Sequence, residues 1–216
     1  MEKFRWLSQR DQTGTVHGRG PCAQKGRGGA RSADTYVQHG MWRAPLTQSA
    51  EIGSTIPNTT FAYVPYSPEL EDHKVCGMPT SFQSHERWKG KKVVIVAVPG
   101  AFTPTCTANH VPPYVEKIQE LKSKGVDEVV VISANDPFVL SAWGITEHAK
   151  DNLTFAQDVN CEFSKHFNAT LDLSSKGMGL RTARYALIAN DLKVEYFGID
   201  EGEPKQSSAA TVLSKL

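Results

Sequence analysis

The stretch Lys91-Lys92-Val93-Val94-Ile95-Val96-Ala97-Val98-Pro99-Gly100-Ala101-Phe102-Thr103-Pro104-Thr105-Cys106 decides the fold. Its first half is a short, continuous, β-branched run closed by a Pro-Gly pair, the pattern of a strand buried on both faces. Its second half is a loop leading into a helix. From Thr107 onward Val111, Tyr114, Val115, Ile118 and Leu121 recur at three- and four-residue spacing until Gly125, which predicts a helix of about four turns. Asp127 to Ser133, containing Val129-Val130-Val131-Ile132, reads as a second buried strand. Two such strands with a helix between them form a βαβ unit, with parallel pairing and a right-handed crossover.

Outward from this unit, Ile56 to Val64 alternates polar with apolar residues and reads as an early strand or hairpin arm. Pro65 to Pro79, which contains Cys76-Gly77, is turn-rich and reads as loop or short edge strand. Asn135-Asp136-Pro137 sets a capping side chain before a proline at the first helical position, so a helix should run from there to about Ala149. Asn160 to Phe167 suggests another short helix. Tyr185 to Ala189 and Val194 to Phe197 flank the turn-forming pair Asn190-Asp191 as an antiparallel hairpin. A last helix spans Ser208 to Leu216. The order βαβ, helix, ββ, helix predicts an α/β domain of thioredoxin-like fold, a mixed central sheet flanked by helices. No internal repeat is visible.

Composition bounds the function. The chain has 216 residues, 22% of them charged, and a formal net charge of +1. The longest nearly apolar run, Val93 to Phe102, is about half of the roughly 20 residues a spanning helix needs, so no membrane role is expected. Four cysteines are too sparse for a disulfide scaffold. Charge is unevenly divided: residues 1–50 hold eight Lys/Arg against three Asp/Glu, the remainder 16 against 20. With only Phe4, Leu7, Val16, Val37 and Leu46 from the Leu/Ile/Val/Phe set and seven glycines, residues 1–50 cannot bury enough surface to offset ordering, and disorder is expected there. The domain proper is 51–216. The histidines and cysteines lack ligand spacings such as C-x-x-C or H-x-x-x-H, so no metal is expected, and with no phosphate loop or dinucleotide fingerprint no cofactor is expected either. The weak overall basicity implies no nucleic-acid face.

The chemistry concentrates at the strand-to-helix turn. Cys106 falls in the first helical turn, near unpaired backbone N–H groups and the positive end of the dipole, where a thiol ionises readily. Thr103, three residues earlier, can fold back toward the sulfur and a bound ligand oxygen, and Pro99 and Pro104 stiffen the loop. The competing reading is a cysteine acting as a small buried hydrophobe. Ends of parallel strands are where such sheets bind ligands, which weighs toward function.

The run Pro99 to Cys106, followed by His110-Val111-Pro112 and Tyr114, resembles the active-site motif of peroxiredoxins of the peroxiredoxin-5, or redoxin, branch. Ser133 to Val139, Ala142-Trp143-Gly144, and Gly179-Leu180-Arg181 through Ala186-Leu187 extend the likeness over about Ile52 to Leu216. The resemblance implies a thiol-dependent peroxidase for hydrogen peroxide and alkyl hydroperoxides. Cys106 would attack the O–O bond as thiolate and become sulfenic acid. Thr103 would hydrogen-bond the peroxide, Pro99 would shield the pocket, and Arg184 would lie beside the sulfur; Arg181 is the residue most easily mistaken for it. A guanidinium and fixed donors suit a leaving oxygen that gains negative charge as the bond breaks.

The resemblance leaves the second step open. Positions where two subtypes carry a resolving cysteine hold Ser207 and Ser208, or Val131, here. Cys76 resembles a cysteine of fungal members and is the candidate resolver. Cys161 reads as structural, and Cys22 lies in the basic arm. Without a resolver, an external thiol (thioredoxin, glutaredoxin or glutathione) must reduce Cys106. The family also implies a homodimer. The terminal Ser214-Lys215-Leu216 has the form of a peroxisomal address, with cytoplasm or mitochondrion as alternatives. A thioredoxin-like disulfide oxidoreductase would need a cysteine where Thr103 stands. A cysteine hydrolase would need His110 as base, though the spacing allows His110 to face away. A non-enzymatic chaperone or binding module would leave Cys106 buried with no donor nearby.

Overall fold

The expected central strand is β3, Lys92–Ala97, and strict alternation along it explains the layering. Val94, Val96 and Val98 point into one apolar cluster, and Val93, Ile95 and Ala97 into another on the opposite face. A strand wholly apolar on both faces can be stable only with a layer on each side. The computed structural model describes residues 50–216 apart from His73. The expected disorder of 1–50 and the position of Cys22 therefore lie outside the described residues, Ala50 excepted.

Nine strands and six α-helices are described: β1 Thr60–Tyr63, β2 Thr80–Gln83, α1 Ser84–Trp88, β3, α2 Pro112–Glu116, α3 Ile118–Ser123, β4 Glu128–Ser133, α4 Pro137–Thr146, β5 Thr154–Asp158, α5 Glu162–His166, β6 Thr170–Leu173, β7 Gly179–Thr182, β8 Arg184–Asn190, β9 Lys193–Asp200 and α6 Ala209–Lys215. Seven strands form one sheet in the order β2-β1-β5-β4-β3-β8-β9, while β6 and β7 pair separately. β3, β4 and β5 run parallel; the other pairings are antiparallel. This is the mixed sheet with helices on both faces that the thioredoxin-like expectation required.

Differences from the expected elements have local causes. The four-turn helix is instead a wide turn, Cys106–His110, followed by α2 and α3. Pro112 and Pro113 lack the N–H groups that would continue regular bonding, and Val111 N–H reaches back five residues to the Cys106 carbonyl (3.1 Å). The late hairpin turns at Asp191-Leu192, both with positive φ (43° and 67°), one residue beyond the expected pair. A contact outside the hairpin sets that register, for the Asp191 carboxylate accepts the Gly90 N–H at 2.7 Å. β5 escaped the sequence pattern because Gln157 and Asp158 interrupt its apolar run. It is nevertheless held between β4 and β1.

α4 carries the site's supporting wall. Asp136 caps it by accepting the N–H groups of Phe138 and Val139 (3.0 and 3.1 Å). Leu140, Trp143 and Gly144 face inward. A Cβ on Gly144 would stand 2.8 Å from the Phe155 ring, so this helix packs on β5 at a distance only glycine permits. Gly144→Val should destabilise the domain by about 1–3 kcal/mol through overpacking. An unchanged urea midpoint would show that β5 yields instead.

Candidate active site

β3 ends beside the site, and the loop after it is folded tightly on itself. Phe102 adopts φ 57°, a left-handed conformation that costs on the order of 1 kcal/mol in a non-glycine residue. This bend lets the Thr103 hydroxyl donate to the Gly100 carbonyl (2.8 Å) while the Thr103 carbonyl accepts from Thr107 N–H (3.0 Å). The Thr103 proton is thereby committed, leaving its oxygen lone pairs to accept from a ligand. Trp143 Nε1–H donates to the Thr107 hydroxyl (3.1 Å), tying the turn to α4.

Cys106 is fully buried among Val111, Tyr114, Leu140 and Trp143. Arg184, the first residue of β8, brings its guanidinium to the sulfur: Nη1 lies 3.5 Å from Sγ and 3.0 Å from His110 Nδ1, while Nε donates to the Gly202 carbonyl (2.6 Å). Arg184 is only 8% exposed, and among the described residues no carboxylate forms an ion pair with it. A buried cation without a carboxylate is costly, and the Cys106 sulfur is one of the groups set directly against it.

His110 does not face away. Arg184 can only donate, so Nδ1 accepts, and the ring proton sits on Nε2, which donates to the Ser207 carbonyl (2.9 Å). Burial, with the Arg184 charge acting in the same direction against the Ser207 carbonyl, pushes the imidazole down to about 4. His110 is therefore a neutral acceptor that holds Arg184, and its lone pair is not free to serve Cys106 as a base. Spacing of four from Cys106 was the one sequence signal for this role.

The loop before α6 completes the wall. Tyr114 Oη–H donates to the same Ser207 carbonyl (2.6 Å). Asp200, at the end of β9, accepts from the backbone N–H groups of Lys205, Gln206 and Ser207 and from the Ser207 hydroxyl. Burial alone would raise the Asp200 carboxyl, but these donors outweigh it and hold the group low. Glu203 accepts from Thr105 Oγ1 and Asn109 Nδ2 (both 3.2 Å), fastening the outer side of the cysteine turn. None of these loop contacts was legible in the sequence, since Asp200 and Glu203 sit in an ordinary polar stretch.

Other sequence candidates fall elsewhere. Pro99 lies in the loop, half-buried, with its carbonyl facing Arg181. Cys76 is exposed and lines a groove of about 200 Å³ with Phe138, Ala142 and Ile145 on the outer face of α4. Cys106 is buried in the core, and the two thiols are both free. Cys161 is buried beside α5, where burial pushes its thiol up to about 11, as suits a structural residue. Among the described residues no group of three or more His, Cys, Asp or Glu is placed to hold a metal, and no helix is long and apolar enough to cross a membrane.

Comparison with known proteins identifies the family. Residues 51–213 match the redoxin family model. A Malassezia furfur protein named as a peroxiredoxin is 99% identical over 166 residues, covering 77% of this chain and all of that protein. A Lipomyces kononenkoae protein named as a peroxisomal peroxiredoxin is 48% identical, covering 72% of this chain and 94% of its own. Among solved structures, reduced Prx3 from Vibrio vulnificus in complex with hydrogen peroxide is 34% identical, with a TM-score of 0.67 over 76% of this chain and 97% of that one.

The depressed His110 has a measurable consequence. The unfolded chain takes up its proton near the ordinary value of 6.5 and the folded chain only near 4, so this contribution is present above 6.5 and is lost as pH falls through that window. The loss reaches about 3 kcal/mol at its lower edge. His110→Gln should flatten the dependence of unfolding free energy on pH between 4 and 6.5. An unchanged slope in urea titrations across that range would contradict the burial of a neutral imidazole.

Proposed function

The chain belongs to the redoxin family and is a peroxiredoxin, a thiol-dependent peroxidase acting on peroxide with a thiol as reductant, and from that premise we propose how its residues divide the work. Cys106 is the peroxidatic residue. The observation that carries this reading is the 3.5 Å contact between its buried sulfur and a guanidinium that lacks a carboxylate partner among the described residues. The thiolate attacks one peroxide oxygen, the S–O bond forms as the O–O bond breaks, and the leaving oxygen departs as water or alcohol after taking a proton. Cys106 is left as sulfenic acid.

Thr103 orients the peroxide. With its own proton given to Gly100, its oxygen accepts from the peroxide O–H and turns the adjacent oxygen toward Sγ. Arg184 stabilises the thiolate and then the charge that develops between sulfur and leaving oxygen. His110 and Gly202 fix the guanidinium, and Pro99 closes one side of the pocket. The disulfide oxidoreductase reading is less well supported, because a threonine stands where the second thiol would be needed. The non-enzymatic reading called for a buried cysteine with no donor nearby, whereas Arg184 stands beside Cys106.

The reducing step falls to an external thiol. This reading is supported by the different settings of the two thiols, Cys76 exposed in a surface groove and Cys106 buried in the core. A thiol condenses with the sulfenic acid, releasing water and leaving a mixed disulfide, and a second thiol then restores Cys106. Two further assignments rest on weaker supports. Homodimer formation is supported by Phe102 and Phe138, about half exposed on the active-site loop and on α4. Peroxisomal residence is supported by Ser214-Lys215-Leu216 and by the Lipomyces relative.

Cys106→Ser should abolish turnover with peroxide. After one equivalent of peroxide and excess glutathione, mass spectrometry should find glutathione on Cys106 with Cys76 unmodified. A Cys76–Cys106 disulfide would overturn the external-thiol step, and an unmodified Cys106 would overturn the peroxidatic assignment. An N-terminally tagged chain should co-localise with a peroxisomal marker and lose that location when Leu216 is removed; unchanged distribution would remove the basis for the address.

A further inference from the structure

Arg181 is half-buried on β7, and its guanidinium is engaged at three oxygens near the cysteine loop. Nε donates to the Met178 carbonyl (2.7 Å), fixing the side chain to the residue that precedes its strand. Nη1 donates to Asn135 Oδ1 (3.0 Å) and approaches the Pro99 carbonyl (3.4 Å). Asn135 Oδ1 in turn accepts from Ala101 N–H (3.0 Å) and from the Ser133 hydroxyl (2.9 Å). Gly100 lies between these groups and Thr103. A Cβ there would stand 3.1 Å from Thr103 Cγ2, 3.4 Å from Arg181 Nη1 and 3.6 Å from Asn135 Oδ1. The neighbouring Thr182 hydroxyl donates to the Val98 carbonyl (2.6 Å), so β7 grips the loop at its start as well.

We propose that Arg181 is a positioning residue for peroxide reduction: with Asn135 it clamps Pro99, Gly100 and Ala101, and through the Gly100 carbonyl it sets where the Thr103 hydroxyl meets the substrate. The inference rests on the reading of Thr103 given above. Its physical content is a division between two arginines three residues apart. Arg184 touches the sulfur, whereas the contacts of Arg181 are to amide oxygens of the loop and its support. Loss of Arg184 must alter every reaction of the thiolate. Loss of Arg181 must alter only the reaction that needs Thr103 in place, since alkylation by a small reagent uses no threonine acceptor. Misplacement of a positioning group by a fraction of an ångström to one ångström slows a reaction by about ten- to a hundredfold.

The test compares two reactions of the same sulfur in the full chain. In Arg181→Ala, stopped-flow oxidation by hydrogen peroxide should slow about ten- to a hundredfold, while iodoacetamide alkylation of Cys106 keeps its rate and pH dependence. Arg181→Lys, which retains one donor for Asn135, should recover part of the loss. In a Thr103→Val background, Arg181→Ala should cause no further loss, because the two changes act through one contact. Wild-type oxidation in Arg181→Ala, with Thr103→Val slow, would overturn the proposal while leaving the Thr103 role intact. Equal slowing of alkylation and oxidation would also overturn it. Wild-type oxidation in Thr103→Val would remove the Thr103 reading itself. Should Arg181→Ala fail to fold, Asn135→Ala opens the clamp from its other end and is expected to give the same selective loss; a wild-type oxidation rate there would contradict the clamp.

Discussion

A buried guanidinium facing a buried sulfur is the constraint on which the rest of this site depends. Arg184 is removed from water without a carboxylate to compensate it among the described residues, and in the function proposed here an anion at Sγ takes that place. In the proposed mechanism the same pairing makes the cysteine useful, because the charge that holds the thiolate is already in place when charge moves onto the leaving oxygen. Stability and reactivity thus draw on one contact. The neighbours of Arg184 are chosen accordingly. His110 is a neutral acceptor, Gly202 offers a carbonyl, and the carboxylates of Asp200 and Glu203 are occupied in shaping the loop.

The scaffold assembles this contact from segments far apart in the chain. β3 and its loop deliver Cys106, β8 delivers Arg184 from the antiparallel neighbour of β3, and the β9–α6 loop delivers the carbonyls that orient Arg184 and His110. The proline pair after the cysteine turn interrupts regular helical bonding and leaves a wide turn at that point. A turn held by side-chain contacts rather than by a long helix can open at lower cost than the sheet beneath it. The proposed reducing step calls for such opening, since a sulfenic acid at the buried Cys106 must become accessible to a second thiol.

Much of the fold was legible because its central strands carry an unambiguous apolar run, as in Val93 to Val98 and Val129 to Ile132. The cysteine turn was legible for a related reason: Pro-Gly after a buried strand can only be a loop, and the loop's residue types are specific. What escaped was whatever depends on tertiary partners. β5 has an unremarkable composition and is a strand because β1 and β4 flank it. The hairpin register follows from Asp191 reaching Gly90, and the contacts of His110, Arg181 and Asp200 are hydrogen bonds that cross between elements. Two arginines three residues apart look equivalent in sequence, and only the strand geometry separates the one at the sulfur from the one at the loop.

The most direct measurement is the rate of Cys106 oxidation by hydrogen peroxide in Arg184→Lys and Arg184→Ala beside the wild-type chain, with iodoacetamide alkylation followed in parallel at neutral pH. If the guanidinium both holds the thiolate and stabilises the departing oxygen, Arg184→Ala loses rate in both reactions and more in oxidation, and Arg184→Lys restores alkylation more fully than oxidation. Oxidation at the wild-type rate in Arg184→Ala would contradict the pairing of charge and sulfur on which the site has been built.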